Sequence, residues 1–213
     1  MKAPLACLTG LLFTASLLLA GSPAVDIALP APHKTGGMPL MQALALRSTS
    51  RAFSTKELST QQLSDLLWAA FGVNRPDGRR TAPSAKNWQE TDLYVLTKSG
   101  AYRYDAAQHR LLPVLAEDIR VLGGLQPFVA NAPLTLVFVA DMTRTGGADP
   151  AQHELAAMDV GFISQNVYLC CASEGLVTGA RAYIDTAALG AKLGLRRSQV
   201  ILLAQSVGYP AAG

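Results

Sequence analysis

Charge is scarce in this chain of 213 residues. Asp, Glu, Lys and Arg together make up 15% of it and half of it is hydrophobic, whereas soluble domains carry roughly a quarter charged residues. So apolar a composition predicts a large buried subunit interface. The net charge of +3 is spread without a basic stripe, which excludes an electrostatic nucleic-acid surface. Cysteine is nearly missing too. Cys7 lies in the leader described below, and Cys170 and Cys171 are adjacent, with Cα atoms about 3.8 Å apart, closer than a relaxed disulfide prefers. They read as two small buried residues of a helix, not as a redox pair or metal site. His33, His109 and His153 stand too far apart for ligand spacing, so no zinc site is expected. There is no Gly-x-Gly-x-x-Gly after a strand, no Gly-x-x-x-x-Gly-Lys and no nucleophile–base constellation. Asp141 and the Glu117-Asp118 pair read as solvated charges. If the protein is an enzyme, a cofactor carries its chemistry.

The first 24 residues form a targeting segment. Lys2 supplies a positive start, Leu5 to Ala20 is almost wholly apolar, and Gly21-Ser22-Pro23-Ala24 offers small residues for cleavage after Ala20 or Ala24. This is the pattern of a secretory signal peptide. A membrane anchor is the alternative, but the run falls short of the roughly 20 residues that span a bilayer. No later segment is expected to span a membrane, and the leader carries no twin-arginine signal. The expected address is the periplasm, reached through a Sec-type signal. Residues 25–38, rich in proline, glycine and small side chains, are an extended arm or a disordered one, and 39–213 fit a single domain.

Within that domain Pro39 to Leu46 has helical spacing. Leu58 to Gly72 is the clearest helix: Ser59 caps it with Gln62 three residues on, and Leu63, Leu66, Leu67 and Ala70 form one face. A long polar loop, Asn74 to Gln89, follows, of the kind that is functional or mobile. Leu93 to Leu96 and Ala101 to Tyr104 flank Ser99-Gly100 as a hairpin, with a third strand at Leu111 to Val114. Glu117 to Gly124 reads as a short helix. Leu134 to Ala140 is a strand buried on both faces. Asp149-Pro150 opens a helix to Glu174 that is apolar nearly all round, as a helix in a core or between subunits must be. Leu176 to Tyr183 is strand and loop, Asp185 caps a helix to about Leu193, and Val200 to Ala204 is the last strand. The alternation gives an α+β or α/β class in three layers.

Arg47-Ser48-Thr49-Ser50-Arg51-Ala52-Phe53 stands apart, with two guanidinium groups and three hydroxyls in a charge-poor chain. An arginine fork with hydroxyl donors matches a phosphate monoester. A flavin also needs a fixed cation near its pyrimidine edge, where reduction leaves negative charge. Alone, a solvated basic turn explains the stretch equally. In combination with the Leu63 to Gly72 helix, Thr81-Ala-Pro-Ser-Ala85 with Asn87, Tyr102-Arg-Tyr104, Asp159-x-Gly161 with Gln165-Asn166, Glu174-Gly-Leu176 and Val207-Gly-Tyr-Pro210, the chain resembles the nitroreductase family of flavoproteins. It looks most like the branch that includes the dehydrogenases of thiazole- and oxazole-forming peptide pathways. The resemblance covers nearly all of the mature chain.

That resemblance implies an α+β, three-layer fold with a central, mostly antiparallel sheet flanked by helices. It implies a homodimer with two FMN sites at the interface, each built from both chains, and NAD(P)H as a possible electron donor. Arg47 and Thr49 would face the phosphate and ribityl region, Ser48 the ribityl chain and Arg51 the pyrimidine edge. Pro83, Ser84, Ala85 and Asn87 would come from the partner subunit. Gln126 would read the pyrimidine edge, and Ala182 would pass the reactive nitrogen through its backbone. Many members continue beyond the Gly-Tyr-Pro turn into a basic tail that helps hold the phosphate, where this sequence ends at Gly213, so Arg181 or Arg79 stands as substitute. The activity implied is ping-pong hydride transfer from a reduced donor through FMN to a nitroaromatic, a quinone or a similar acceptor. An oxygen-using substrate dehydrogenase and an exported flavin-binding or electron-carrying protein are the alternatives.

Overall fold

A computed structural model describes residues 26–211; the leader expected over residues 1–24 lies outside them. Strand β1 is Ile27–Ala28, β2 Thr91–Thr97, β3 Gly100–Asp105, β4 Arg110–Leu115, β5 Leu134–Asp141, β6 Val177–Arg181 and β7 Gln199–Gly208. They form one sheet in the order β1-β4-β3-β2-β5-β7-β6, every neighbouring pair antiparallel. The helices are α1 Leu40–Leu46, α2 Thr60–Phe71, α3 Pro150–Ser173 and α4 Thr186–Lys192.

The central strand β5 explains the layering. All eight of its residues are buried. Leu134, Leu136 and Phe138 join the core beneath α2 and α3 with Leu66, Leu67, Ile163 and Val167. Val137 and Val139 point the other way, to Ile119 and to Leu189 and Leu193 at α4. Alternate side chains of a strand leave opposite faces, so an uninterrupted apolar run requires cover on both sides. The result is the expected α+β arrangement, helices on both faces of an antiparallel sheet.

Local signals place several elements. Ser59 accepts from the Gln62 amide while the Gln62 side chain returns to the Ser59 N–H, a complete capping box, and Asp149 and Gln152 repeat the device before Pro150 at the start of α3. The arm before α1 is ordered where described: Ile27 and Ala28 pair with Leu111 and Arg110, and the Pro30 carbonyl accepts from Ser64 Oγ at 2.6 Å.

Four expectations need correction. Between Glu117 and Gly124 only Arg120–Gly123 is helical, as a 3-10 turn, because Asp118 is drawn into a bidentate pair with Arg120. Strand β7 runs on to Gly208 rather than stopping at Ala204. Its polar continuation is buried and bonded, Gln205 Oε1 accepting from Ser164 Oγ at 2.8 Å. Asp141 is buried, not solvated. Burial alone would raise its pKa, yet hydrogen bonds from Thr143 and the Arg196 and Arg144 guanidiniums hold it below the usual carboxylate range. Finally, α3 is long and apolar enough to cross a membrane by length and composition, contrary to the expectation for later segments; here it packs on α1, α2 and β6.

Candidate functional site

Strand β6 is the last strand at one edge of the sheet, and the Arg47–Phe53 stretch lies along it. Arg47 closes α1, its N–H donating to the Ala43 carbonyl. The chain then runs extended, and the Ser50 N–H donates to the Thr178 carbonyl at 2.9 Å. The approach depends on Gly179. A Cβ there would stand 2.6 Å from the Ser50 carbonyl oxygen, so no larger residue lets the two backbones come so close.

Thr49 Oγ1 lies 3.0 Å from the Tyr168 hydroxyl, which accepts from the Ala180 N–H at 3.0 Å. The Arg47 guanidinium sits over the same ring, 5.4 Å from its centroid. Ser48 and Arg51 are exposed. Among the described residues neither Arg47 nor Arg51 pairs with a carboxylate within the 4.0 Å ion-pair limit.

The second group at this edge follows. Phe53 stacks on Phe128 with centroids 6.1 Å apart, which ties the segment carrying Gln126 to the Arg47–Phe53 stretch. The Leu125 N–H donates to the Tyr183 carbonyl at 3.1 Å, setting Ala182 beside Gln126. Gln126 Oε1 is buried without a hydrogen-bond partner, so its amide is not consumed by the protein's own network. Arg181 does not reach an open phosphate position, contrary to expectation. It is 6% exposed, donates to the Gly123 carbonyl at 2.7 Å and to Ser206 Oγ at 3.0 Å, and burial draws its pKa down to about 10. Arg79 is turned to Asp77 at 3.5 Å.

Pro83, Ser84, Ala85 and Asn87 lie elsewhere. The Ala85 N–H donates to Asp159 Oδ2 at 2.7 Å, in the first half of α3, whereas Tyr168 is in the second. Nine residues of helix separate these anchors by roughly 14 Å and about half a turn. No hydrogen bond or ion pair among the described residues joins this loop to Arg47–Arg51 in the same chain. The loop is strained: Lys86, Asn87 and Gln89 have φ of 51°, 57° and 48°, left-handed values that cost on the order of 1 kcal/mol or more each outside glycine. Ser84 Oγ accepts from the Gln89 N–H and Gln89 Oε1 from Arg80.

Beneath the loop is a pair that sequence reading missed. Glu90 and Asp159 are 0% and 4% exposed and lie close enough for each carboxyl to act on the other's pKa. Glu90 Oε2 has no hydrogen-bond partner, a place that a proton shared between the two carboxyls would fill. Burial, and then the facing Asp159, push the Glu90 pKa up; burial does the same to Asp159. Tyr168 was missed as well, since nothing in its neighbourhood of the sequence signals a contact with Thr49.

Comparison with known proteins gives the family. The model of the nitroreductase family matches residues 44–209. Two of the relatives described as "putative nitroreductase" cover most of their own length. One, from Methanocaldococcus jannaschii, is 32% identical over 150 residues, 65% of this chain and 76% of its own. The other, a crystal structure from Ralstonia eutropha JMP134, is 40% identical with a TM-score of 0.86, covering 91% of this chain and 93% of that one. A third structure, the NADPH:FMN oxidoreductase of Vibrio harveyi complexed with NAD+, shares the fold at 19% identity and a TM-score of 0.61, over 81% of this chain and 69% of that one. With its sheet, its edge strand and the greater part of its length matched, the chain belongs to the nitroreductase family and is an oxidoreductase.

Proposed function

We infer that the protein is an FMN-dependent oxidoreductase whose flavin lies against the Arg47–Arg51 segment that runs beside β6. One observation carries the reading: in a chain of this family, Arg47 and Arg51 lie beside β6 with no carboxylate partner among the described residues, and Gln126 keeps a buried, unpartnered amide oxygen. Those groups suit the ligand. Arg47 and Thr49 offer charge-assisted donors to a phosphate, Ser48 offers a hydroxyl to the ribityl chain, Arg51 lays a cation against the pyrimidine edge, and Gln126 lacks the hydrogen bond that a ring N–H would supply. Ala182, paired to neither neighbour in a strand, presents its backbone to the ring.

When bound, FMN supplies two-electron hydride transfer, taking electrons from a reduced donor such as NAD(P)H and delivering them to an electron-poor acceptor such as a nitroaromatic or quinone in ping-pong order. The protein's residues bind and orient; none need act as acid or base.

The functional unit we propose is a homodimer. Leu40, Met41 and Leu44 on α1 and Met158 and Phe162 on α3 are large, apolar and 43–75% exposed, side chains of the kind that a second subunit covers. The Pro83, Ser84, Ala85 and Asn87 loop, anchored away from its own Arg47, is then available to the partner's flavin. With the leader expected over residues 1–24, the place of action we propose is the periplasm. The test is the absorption spectrum of the purified protein. A flavin band, or FMN uptake by stripped protein with recovery of dye reduction, is expected; protein that neither carries nor takes up FMN refutes the reading.

A further inference from the structure

We propose that Tyr168 is the positioning residue that makes this site prefer a phosphorylated flavin over its unphosphorylated form. The proposal rests on the FMN reading above and assigns a residue within it. The hydroxyl of Tyr168 has one proton to give and one principal place to accept. The Ala180 N–H occupies the accepting place at 3.0 Å. The phenolic proton is therefore committed to Thr49 Oγ1, also 3.0 Å away. Thr49 accepts it, and its own proton is left to point outward from an exposed side chain. Tyr168 thus turns a hydroxyl of undefined polarity into a donor.

The same ring fixes the neighbouring cation. Arg47 has its Cα set by the end of α1, but no hydrogen bond or ion pair among the described residues holds its guanidinium. Its place is over the Tyr168 ring, 5.4 Å from the centroid, where the π face attracts a cation. A stacked guanidinium and an outward O–H side by side form a donor pair that binds a dianion far more strongly than a neutral alcohol. Riboflavin differs from FMN by that dianion alone, so the two flavins separate phosphate recognition from ring binding.

Stripped protein is titrated with FMN and with riboflavin, following flavin fluorescence. Tyr168→Phe keeps the ring and removes the hydroxyl. The expected result is about a tenfold weaker FMN affinity, the scale of one charge-assisted hydrogen bond, with riboflavin affinity changed less than about twofold. Tyr168→Leu, which also removes the ring beneath Arg47, weakens FMN further. The double variant Thr49→Ala/Tyr168→Phe binds FMN no worse than Thr49→Ala alone, because the hydroxyl acts through Thr49. Riboflavin binding doubles as the check that each variant is folded. Equal weakening of both flavins, or FMN affinity unchanged in Tyr168→Phe, overturns the proposal while leaving the FMN reading intact. Wild-type protein that binds neither flavin overturns that reading and this proposal with it.

Discussion

Replacing Gly179 with alanine tests whether the close approach of β6 and the Arg47–Phe53 stretch builds the site. The added Cβ would lie 2.6 Å from the Ser50 carbonyl oxygen, 3.5 Å from Thr49 Cγ2 and 3.7 Å from the Ser50 carbonyl carbon. Ordinary contact begins near 3.5 Å, so Ser50 must retreat by roughly 0.9 Å. It is backbone and cannot swing aside like a side-chain tip. Overpacking of this kind costs about 1–3 kcal/mol, and stretching the Ser50 N–H bond to Thr178 adds about 0.5–1.5 kcal/mol. A loss of about 2–4 kcal/mol in a domain of this size lowers Tm by roughly 5–15 °C, read at one fixed protein concentration. Thr49 moves with Ser50 and leaves hydrogen-bonding distance of Tyr168, so FMN affinity drops by about tenfold or more. Gly190→Ala is the control: its nearest neighbour is 3.8 Å away and it lies inside α4, where alanine is favoured by up to about 1 kcal/mol. If Gly179→Ala melts within about 2 °C of wild type and binds FMN equally well, the close approach has no part in forming the site.

Other outcomes follow from the same geometry. Arg47→Ala should weaken FMN binding about tenfold or more with little change in the bound flavin's midpoint potential, and Arg51→Ala should lower that potential; equal loss of binding from both with no shift in potential sinks the division of roles. Gly161→Ala is a probe of the α3 face, because a Cβ there meets nothing within 4 Å: on a face open to water it would stabilise the helix by about 1 kcal/mol, whereas on a face packed by a second copy it should weaken the dimer in sedimentation. The Glu90–Asp159 pair should give stability that falls with rising pH. Both folded pKa values lie above their unfolded ones, so the folded state holds the extra proton. The contribution is complete below the unfolded carboxyl range and is lost as pH rises through the elevated folded values. Glu90→Gln, which keeps a donor for Asp159 without a titrating proton, should flatten that part of the wild-type-minus-variant profile; superimposable profiles would show that the pair carries no such proton.

What could be read from the sequence was local. The capping boxes at Ser59 and Asp149, the hairpin turn at Ser99-Gly100 and the two-sided run of β5 all depend on residues a few positions apart, so spacing and chemistry reveal them directly. The Arg47–Arg51 cluster is legible for the same reason. What escaped depends on contacts made only by folding. Tyr168 meets Thr49 across 119 positions and Asp159 meets Ala85 across 74. Arg181 looked like a free cation because nothing nearby in sequence announces that Gly123 and Ser206 will close over it. The charge of Asp141 misled in the same way, and Glu90 drew no reading at all: a carboxylate reads as solvated unless the residues that bury it are already known.

Helix α3 ties these pieces into one design. At about 100° per residue, its buried stripe of Ala156, Val160, Ile163, Val167 and Cys171 has Asp159 on one shoulder and Tyr168 on the other. Asp159 holds the strained loop of Ser84, Ala85 and Asn87, and Tyr168 holds Thr49 and Arg47. The face away from the stripe carries exposed Met158 and Phe162 around Gly161. A helix apolar nearly all round therefore answers two surfaces, the core on one side and, in the proposed dimer, a second copy on the other. Twofold symmetry makes each contact reciprocal, so the pairing that covers Met158 and Phe162 can carry one subunit's Asp159-held loop toward the other's Tyr168-held cation. In that proposed dimer the scarcity of charge that marks the sequence has a structural cause: the longest helix is covered on both of its apolar sides.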